Sequence, residues 1–139
     1  MEINFYQTTT YDKVIQLHKE IFKENNQSFF ESLASRDYYK TFVATQNDTL
    51  VAYCIISEIA GEAEIINVAT IPSFRNQGVA TQLLEYVINT IESKDIFLEV
   101  STTNLSAIEL YTKVGFVKYS VRKKYYGNTD AILMKLHKN

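Results

Sequence analysis

The chain contains one cysteine, Cys54, which excludes a disulfide within it. Set inside the apolar run Leu50 to Ile56, that cysteine reads as a core thiol. Proline occurs once and glycine four times, and no segment repeats or is low in complexity, so the chain is neither disordered nor fibrous by composition. No apolar run approaches the ~18 residues of a membrane span, and the start Met1-Glu2-Ile3-Asn4-Phe5 lacks a basic region followed by an apolar core. A cytoplasmic protein without membrane attachment is therefore expected. There are two histidines, neither accompanied by a cluster of cysteines or carboxylates, so no metal site is expected. His18 falls on an apolar helical stripe as a packed or rim residue, and His137 lies in the tail. The net charge of −2 exerts no overall pull toward nucleic acid or anionic lipid. Neither the Gly-Lys-Ser/Thr of a P-loop nor the Gly-x-Gly-x-x-Gly of a dinucleotide fold is present.

What is present is an ordinary globular composition, 46% hydrophobic and 22% charged in 139 residues. It suits one domain spanning 1–139, large enough to bury roughly two-thirds of its unfolded surface. A strand at about Ile3 to Gln7 leads to a helix on which Val14, Ile15, His18, Ile21 and Phe22 share a face; Thr9 is placed to cap it and Asp12 to favour its positive end. After a short helix around Ser28 to Ser35, Tyr39–Thr45 and Leu50–Glu58 read as strands joined by the turn Gln46-Asn47-Asp48-Thr49, and Glu64–Thr70 as a third. Ile96–Val100 is a nearly continuous apolar strand, expected to be central and covered on both faces. Asn104 caps a helix that runs to about Val114 and ends at Gly115, and Phe116–Tyr126 and Ala131–Leu136 close the chain as strands.

The rest is organised around Asn67-Val68-Ala69-Thr70-Ile71-Pro72-Ser73-Phe74-Arg75-Asn76-Gln77-Gly78-Val79-Ala80-Thr81, a strand, a turn, a small-residue loop and the start of a helix. From Val79 the apolar residues Val79, Ala80, Leu83, Leu84, Val87, Ile88 and Ile91 follow one helical face. The first-turn N–H groups of such a helix lack partners within it and carry its positive dipole end, a socket for an anion such as phosphate. Gly78 and Ala80 permit close approach, and Arg75 adds a charged fork of donors. Arg75-x-x-Gly78-x-Ala80 by itself also reads as a plain helix boundary.

Two residues stand out as candidate chemistry. Glu99 is isolated among Phe97, Leu98 and Val100: buried, it is a base with raised pKa; at a strand end reaching water, it is an ordinary carboxylate. Tyr111, on the following helix, is either a proton donor or one of ten tyrosines packed against neighbours.

Asn67–Thr81 resembles the acetyl-coenzyme A motif of the GNAT N-acetyltransferase superfamily. Leu98-Glu99-Val100-Ser101-Thr102-Thr103-Asn104 followed by Ala107-Ile108-x-Leu110-Tyr111-x-x-x-Gly115-Phe116 is similar to its second signature. With Arg122-Lys123-Lys124-Tyr125-Tyr126 and Asp130-Ala131-Ile132-x-Met134, the chain resembles the RimI-like branch, the ribosomal-protein alanine N-acetyltransferases. The match runs from about Ile66 to Leu136. It implies an α/β (α+β) GNAT fold: a mixed, mostly antiparallel sheet of about seven strands, splayed between the fourth and fifth, with about four helices.

The resemblance further implies that acetyl-coenzyme A lies in that opening, its pyrophosphate on the amides of Asn76, Gln77, Gly78, Val79, Ala80 and Thr81 near Arg75. Val68, Ala69 and Thr70 would hold the pantetheine arm and polarise the thioester carbonyl, and Asn104 would touch the cosubstrate from the other side. Glu99 would take the acceptor's proton through water and Tyr111 would return one to the leaving thiolate. Tyr126 would contact the acceptor. The implied activity is N-acetyl transfer to a primary amine, foremost a peptide or protein N-terminus; a small amine such as a polyamine and a non-catalytic acyl-coenzyme A sensor are the alternatives. Arg122, Lys123 and Lys124 against Asp130 count toward repulsion of a polyamine. Neither nucleic acid nor membrane is an expected partner, and the protein is expected to be a monomer or homodimer. The chain has Phe22-Lys23-Glu24-Asn25-Asn26 where the branch has a Phe-Pro-Trp turn, Ser101 where it has Arg, and a shorter loop between Tyr126 and Asp130, all on the acceptor side.

Overall fold

Strand β1 (Asn4–Thr8) leads into helix α1 (Asp12–Phe22), and helix α2 (Gln27–Ser35) follows. A computed structural model of the chain describes residues 2–22 and 27–139, the side chains of Gln27, Tyr125 and Tyr126 excepted. The expected departure at Phe22–Asn26 thus lies mostly outside the described residues. The cap of α1 differs from expectation. Ile15 N–H bonds to Tyr11 C=O, so the first helical bond closes on Tyr11. Thr9 precedes it by two residues and lies between Thr8 and Thr10, which bond each other.

Strands β2 (Tyr39–Gln46) and β3 (Thr49–Ile59) form an antiparallel hairpin. Asn47 and Asp48, both at positive φ, make the two-residue turn whose twist suits such a hairpin. A second hairpin joins β3 to β4 (Glu62–Thr70) through Ala60 and Gly61, again both at positive φ. This turn is tight enough to start β4 at Glu62, two residues before the expected Glu64. A single 3-10 turn, Pro72–Phe74, precedes helix α3 (Val79–Thr90), which is followed by β5 (Asp95–Ser101) and α4 (Leu105–Val114). The long hairpin β6 (Val117–Tyr126) and β7 (Thr129–His137) ends the chain. Asn104 caps α4 by accepting the Ala107 N–H, and Gly115 closes it in the left-handed region, as the sequence predicts.

All seven strands form one sheet in the order β1-β2-β3-β4-β5-β7-β6. Every junction is antiparallel except β4 with β5. That parallel junction is short: Glu62, Ala63 and Glu64 pair with Asp95, Ile96 and Phe97, and the pairing stops there. The next step of β4 carries an extra residue. Ile65 pairs with Ile56 and Asn67 with Ile55 on β3, leaving Ile66 as a bulge. A bulge bends its strand and increases local twist, so β4 turns away from β5 and the sheet opens between its fourth and fifth strands. The splayed seven-stranded α/β architecture expected from the sequence is the one observed.

On one face, α3 packs its buried Val79, Leu83, Leu84 and Val87 against Ile96, Leu98 and Val100 of β5 and the inner side chains of β2, β3 and β4. On the other, α1 and α2 bury Val14, Leu17, Phe30 and Leu33 against Val43, Tyr53, Ile55 and Ala69. These two helices cover the β2–β4 half. Strand β5 consequently alternates, with Ile96, Leu98 and Val100 buried and Phe97, Glu99 and Ser101 half-buried. The expectation of a strand covered on both faces fails on that second face. His18 is a core residue, its Nδ1 2.6 Å from the Tyr53 hydroxyl and its ring against Phe22 and Phe30. Cys54 is fully buried, and desolvation pushes its thiol up to about 12.

Candidate active site

The opening between β4 and β5 leads into a cavity of about 710 Å³, within the range of ligand sites. Its floor is the end of β4, Val68–Thr70. One wall is the loop and first turn from Phe74 to Thr81, and the other is the start and inner face of α4, from Asn104 to Lys113. Ile21 and Phe22 at the end of α1 form the rim.

Gly78 is the cap residue of α3, at φ +81. Glycine adopts this left-handed conformation without a Cβ penalty, and nothing lies within 4 Å of where a Cβ would be. The position therefore combines a conformational demand for glycine with open space in front of it. The first bond of α3 runs from Gln82 N–H to Gly78 C=O. The amides of Gly78, Val79, Ala80 and Thr81 thus precede the helical ladder at its positive end, and all four residues line the cavity. Arg75 donates from Nε to the Thr70 carbonyl at 3.0 Å, which ties the loop to the end of β4 while the residue still lines the cavity. Gln77 is the exception among the predicted cofactor-binding residues. Its side-chain amide donates to Ser73 C=O at 2.8 Å and it is not part of the lining.

Asn104 and Tyr111 meet the same cavity from α4. The Asn104 side chain has a local task as well, accepting from Ala107 N–H and Ser106 Oγ at 3.3 Å each. The Tyr111 ring stands edge-on to Phe116, centroids 5.9 Å apart, so one side of it is packed and another faces the opening. The packing expected of Tyr111 is therefore observed, and the residue lines the cavity as well.

Glu99 lies elsewhere. It is not in the cavity lining but on the half-buried face of β5, beyond the last parallel pair. Its carboxylate is 3.0 Å from Nη2 of Arg122, with 21% of the side chain exposed. Neither sequence alternative describes it fully: it is partly withdrawn from water and paired across β7 to β6. Glu64, on β4, shares the neighbourhood. Its carboxyl is raised from the ordinary range first by desolvation and then by the negative charge of Glu99, with Arg122 opposing. Glu64 and the Arg122 partnership escaped the sequence reading because both depend on strand register.

Two cations of the basic run on β6, Arg122 and Lys123, are also ion-paired. Lys123 Nζ is 3.5 Å from Asp130, and the Lys124 N–H donates to Asp130 Oδ1 at 2.8 Å. That amide bond, with Lys123, holds the Asp130 carboxyl below its ordinary value against desolvation. Counting Arg122, Lys123 and Lys124 as cations opposed only by Asp130 therefore overstated the positive charge, since Glu99 and Glu64 stand beside Arg122. Tyr126 pairs with Thr129 through its backbone at the end of the hairpin; its predicted contact with the acceptor involves a side chain outside the described set. Among the described residues, no group of three or more His, Cys, Asp or Glu is gathered in one place, and no helix is long and apolar enough to cross a membrane.

The model of the acetyltransferase (GNAT) family matches residues 7–116. The ribosomal protein bS18-alanine N-acetyltransferase of Escherichia coli strain K12 is 33% identical over 129 residues, covering 88% of this chain and 86% of its own length. The crystal structure of the ribosomal-protein-S18-alanine N-acetyltransferase from Escherichia coli superposes with a TM-score of 0.86 at 30% identity, over 98% of this chain and 94% of that one. An N-alpha-acetyltransferase of Saccharolobus solfataricus is 28% identical, covering 88% of this chain and 84% of its own.

Proposed function

The chain belongs to the acetyltransferase (GNAT) family, and on that premise we propose that it is an acetyl-coenzyme A dependent N-acetyltransferase acting on the N-terminal amine of a peptide or protein. One observation carries the reading. Pairing of β4 with β5 stops at Glu64 and Phe97, and beyond that point a single cavity joins the free amides of α3, the end of β4 and Tyr111.

That cavity fits a long ligand with an anionic middle. The amides of Asn76 and of Gly78, Val79, Ala80 and Thr81, with Arg75, would hold its phosphates, and Val68, Ala69, Thr70 and Asn104 its arm. The cosubstrate supplies an activated acetyl group. The protein's own residues supply the rest. An N-terminal ammonium must lose a proton before its nitrogen is nucleophilic, and Glu99, on the face of β5 opposite the α3 packing, is the carboxylate that would receive it. Backbone N–H groups at the end of β4 would meet negative charge that develops on the acyl oxygen. The Tyr111 phenol, protonated at neutral pH, would deliver a proton to the departing sulfur.

Among the described residues, the sheet face beside Glu99 lies beyond the β2–β4 half that α1 and α2 cover, and it would offer room for an extended acceptor. Because the Escherichia coli relative carries alanine N-acetyltransferase in its name, peptides beginning with alanine are the first acceptors to try; a mass gain at the N-terminal amine, dependent on acetyl-coenzyme A, tests the proposal. A small-amine acceptor is the second reading, favoured by the carboxylates of Glu64 and Glu99 on that face, which soften the expected repulsion of a polycation.

A further inference from the structure

Three charged side chains from three strands meet where the sheet opens. Glu64 is the last residue of β4 paired with β5. Glu99 lies two residues beyond its partner Phe97, on the same face of β5. Arg122 reaches Glu99 from β6, 3.0 Å away, across β7. Resting on Glu99 as the base, we infer that Arg122 is its positioning residue: it holds the Glu99 carboxylate on the acceptor side of the opening and balances the two like charges, Glu99 and Glu64, that the end of the β4–β5 pairing brings together.

The need for such a residue follows from the charges. Two carboxylates close enough to feel each other resist being ionised together, and an unprotonated base is what the acceptor ammonium requires. The interaction is present here, since Glu99 pushes the Glu64 carboxyl upward and Arg122 pulls it back. The planar guanidinium suits the task because it stays charged at any working pH and directs several donors at once. Other groups around Glu99 do not replace it. Directly opposite on β7 is Leu133. Lys123 is engaged with Asp130, and Lys135 stands 5.3 Å from the centre of the Tyr119 ring. On the far side of Glu64, β2 contributes Tyr39, whose phenol is raised by desolvation and by Tyr38, with Arg36 opposing. Arg122 is 48% exposed, so its replacement removes little packing.

The test titrates the side-chain carboxyls by carbon-detected NMR in the wild type, Arg122→Ala, Arg122→Lys and the double variant Arg122→Ala/Glu64→Gln. It follows kcat against pH in the same four proteins. In Arg122→Ala the carboxyl midpoints assigned to the Glu64–Glu99 pair should rise by about one pH unit or more. The acid limb of kcat should move with them toward higher pH, while KM for acetyl-coenzyme A holds. Adding Glu64→Gln should bring the midpoints and the limb back toward wild type, and Arg122→Lys should keep both near it. Unmoved midpoints in Arg122→Ala overturn the inference whatever the acceptor proves to be. So does a loss of kcat that no pH recovers and Glu64→Gln does not reverse, the mark of a purely structural role. A wild type that acetylates no N-terminal amine would instead count against the acceptor reading and leave the NMR arm to decide this one.

Discussion

Glu64 on β4 and Phe97 on β5 are the last residues paired across the parallel junction, and the bulge at Ile66 follows within two residues on β4. The whole site hangs on this relationship. A bulge there turns β4 outward, so its final residues line a cavity instead of bonding β5, and the two faces of the sheet communicate at that point.

Replacing Gly78 by Glu should abolish acetyl-coenzyme A binding. The substitution puts an L-residue at φ +81 and a carboxylate in front of the amides proposed to hold phosphate. In thermal shift, the wild type should be stabilised by ligand, on the order of 2.7 kcal/mol at a hundredfold excess over Kd. The variant should show no ligand-dependent shift.

Glu99→Gln should lower kcat by about 10²- to 10⁴-fold, the usual contribution of a general base, with KM for acetyl-coenzyme A little changed. The deficit should shrink at high pH, where more of the acceptor is already unprotonated. An unchanged rate at pH 7 would remove Glu99 from the mechanism.

Tyr111→Phe isolates the hydroxyl, because phenylalanine keeps the edge-on packing against Phe116. The fold should be kept, whereas kcat should fall by about 10²-fold. Equal rates in the two proteins would leave Tyr111 with its packing role alone.

The capping signals were legible because each lies within three or four residues of what it caps: Asn104 meets Ala107, and Gly115 ends the same helix. The start of α3 at Gly78 was legible for the same reason. Thr9 misled because the first helical bond closes on Tyr11, two residues further on. Long-range pairs were not legible. The Glu99–Arg122 contact spans three strands and a hairpin with two register shifts, and no local pattern encodes such a count. The Lys40–Glu58–Ser93 cluster joins β2, β3 and the loop after α3 in the same non-local way.

That cluster gives a stability prediction. Burial alone would raise the Glu58 carboxyl, but hydrogen bonds from Lys40 and from the Ser93 hydroxyl and N–H bring it down to about 2. Since the folded value lies below the unfolded value of ~4.3, the stabilisation is fully present above about pH 5 and is lost as pH falls toward 2. Glu58→Gln should cost about 2–3 kcal/mol at pH 7, measured by urea unfolding. The difference from wild type should narrow at pH 3, and a gap that stays constant with pH would refute the assignment.

The most direct measurement is acetyl transfer by the purified protein from acetyl-coenzyme A to a panel of peptides with free N-termini, N-terminally blocked lysine peptides and spermidine. The product site is located by mass spectrometry. We expect acetylation of the N-terminal amine, with kcat/KM for a short peptide beginning with Ala or Ser at least ~10-fold above that for spermidine, about 1.4 kcal/mol of transition-state preference. A preference for spermidine would move the acceptor to the small-amine class. Binding of acetyl-coenzyme A with no transfer to any amine would contradict the account.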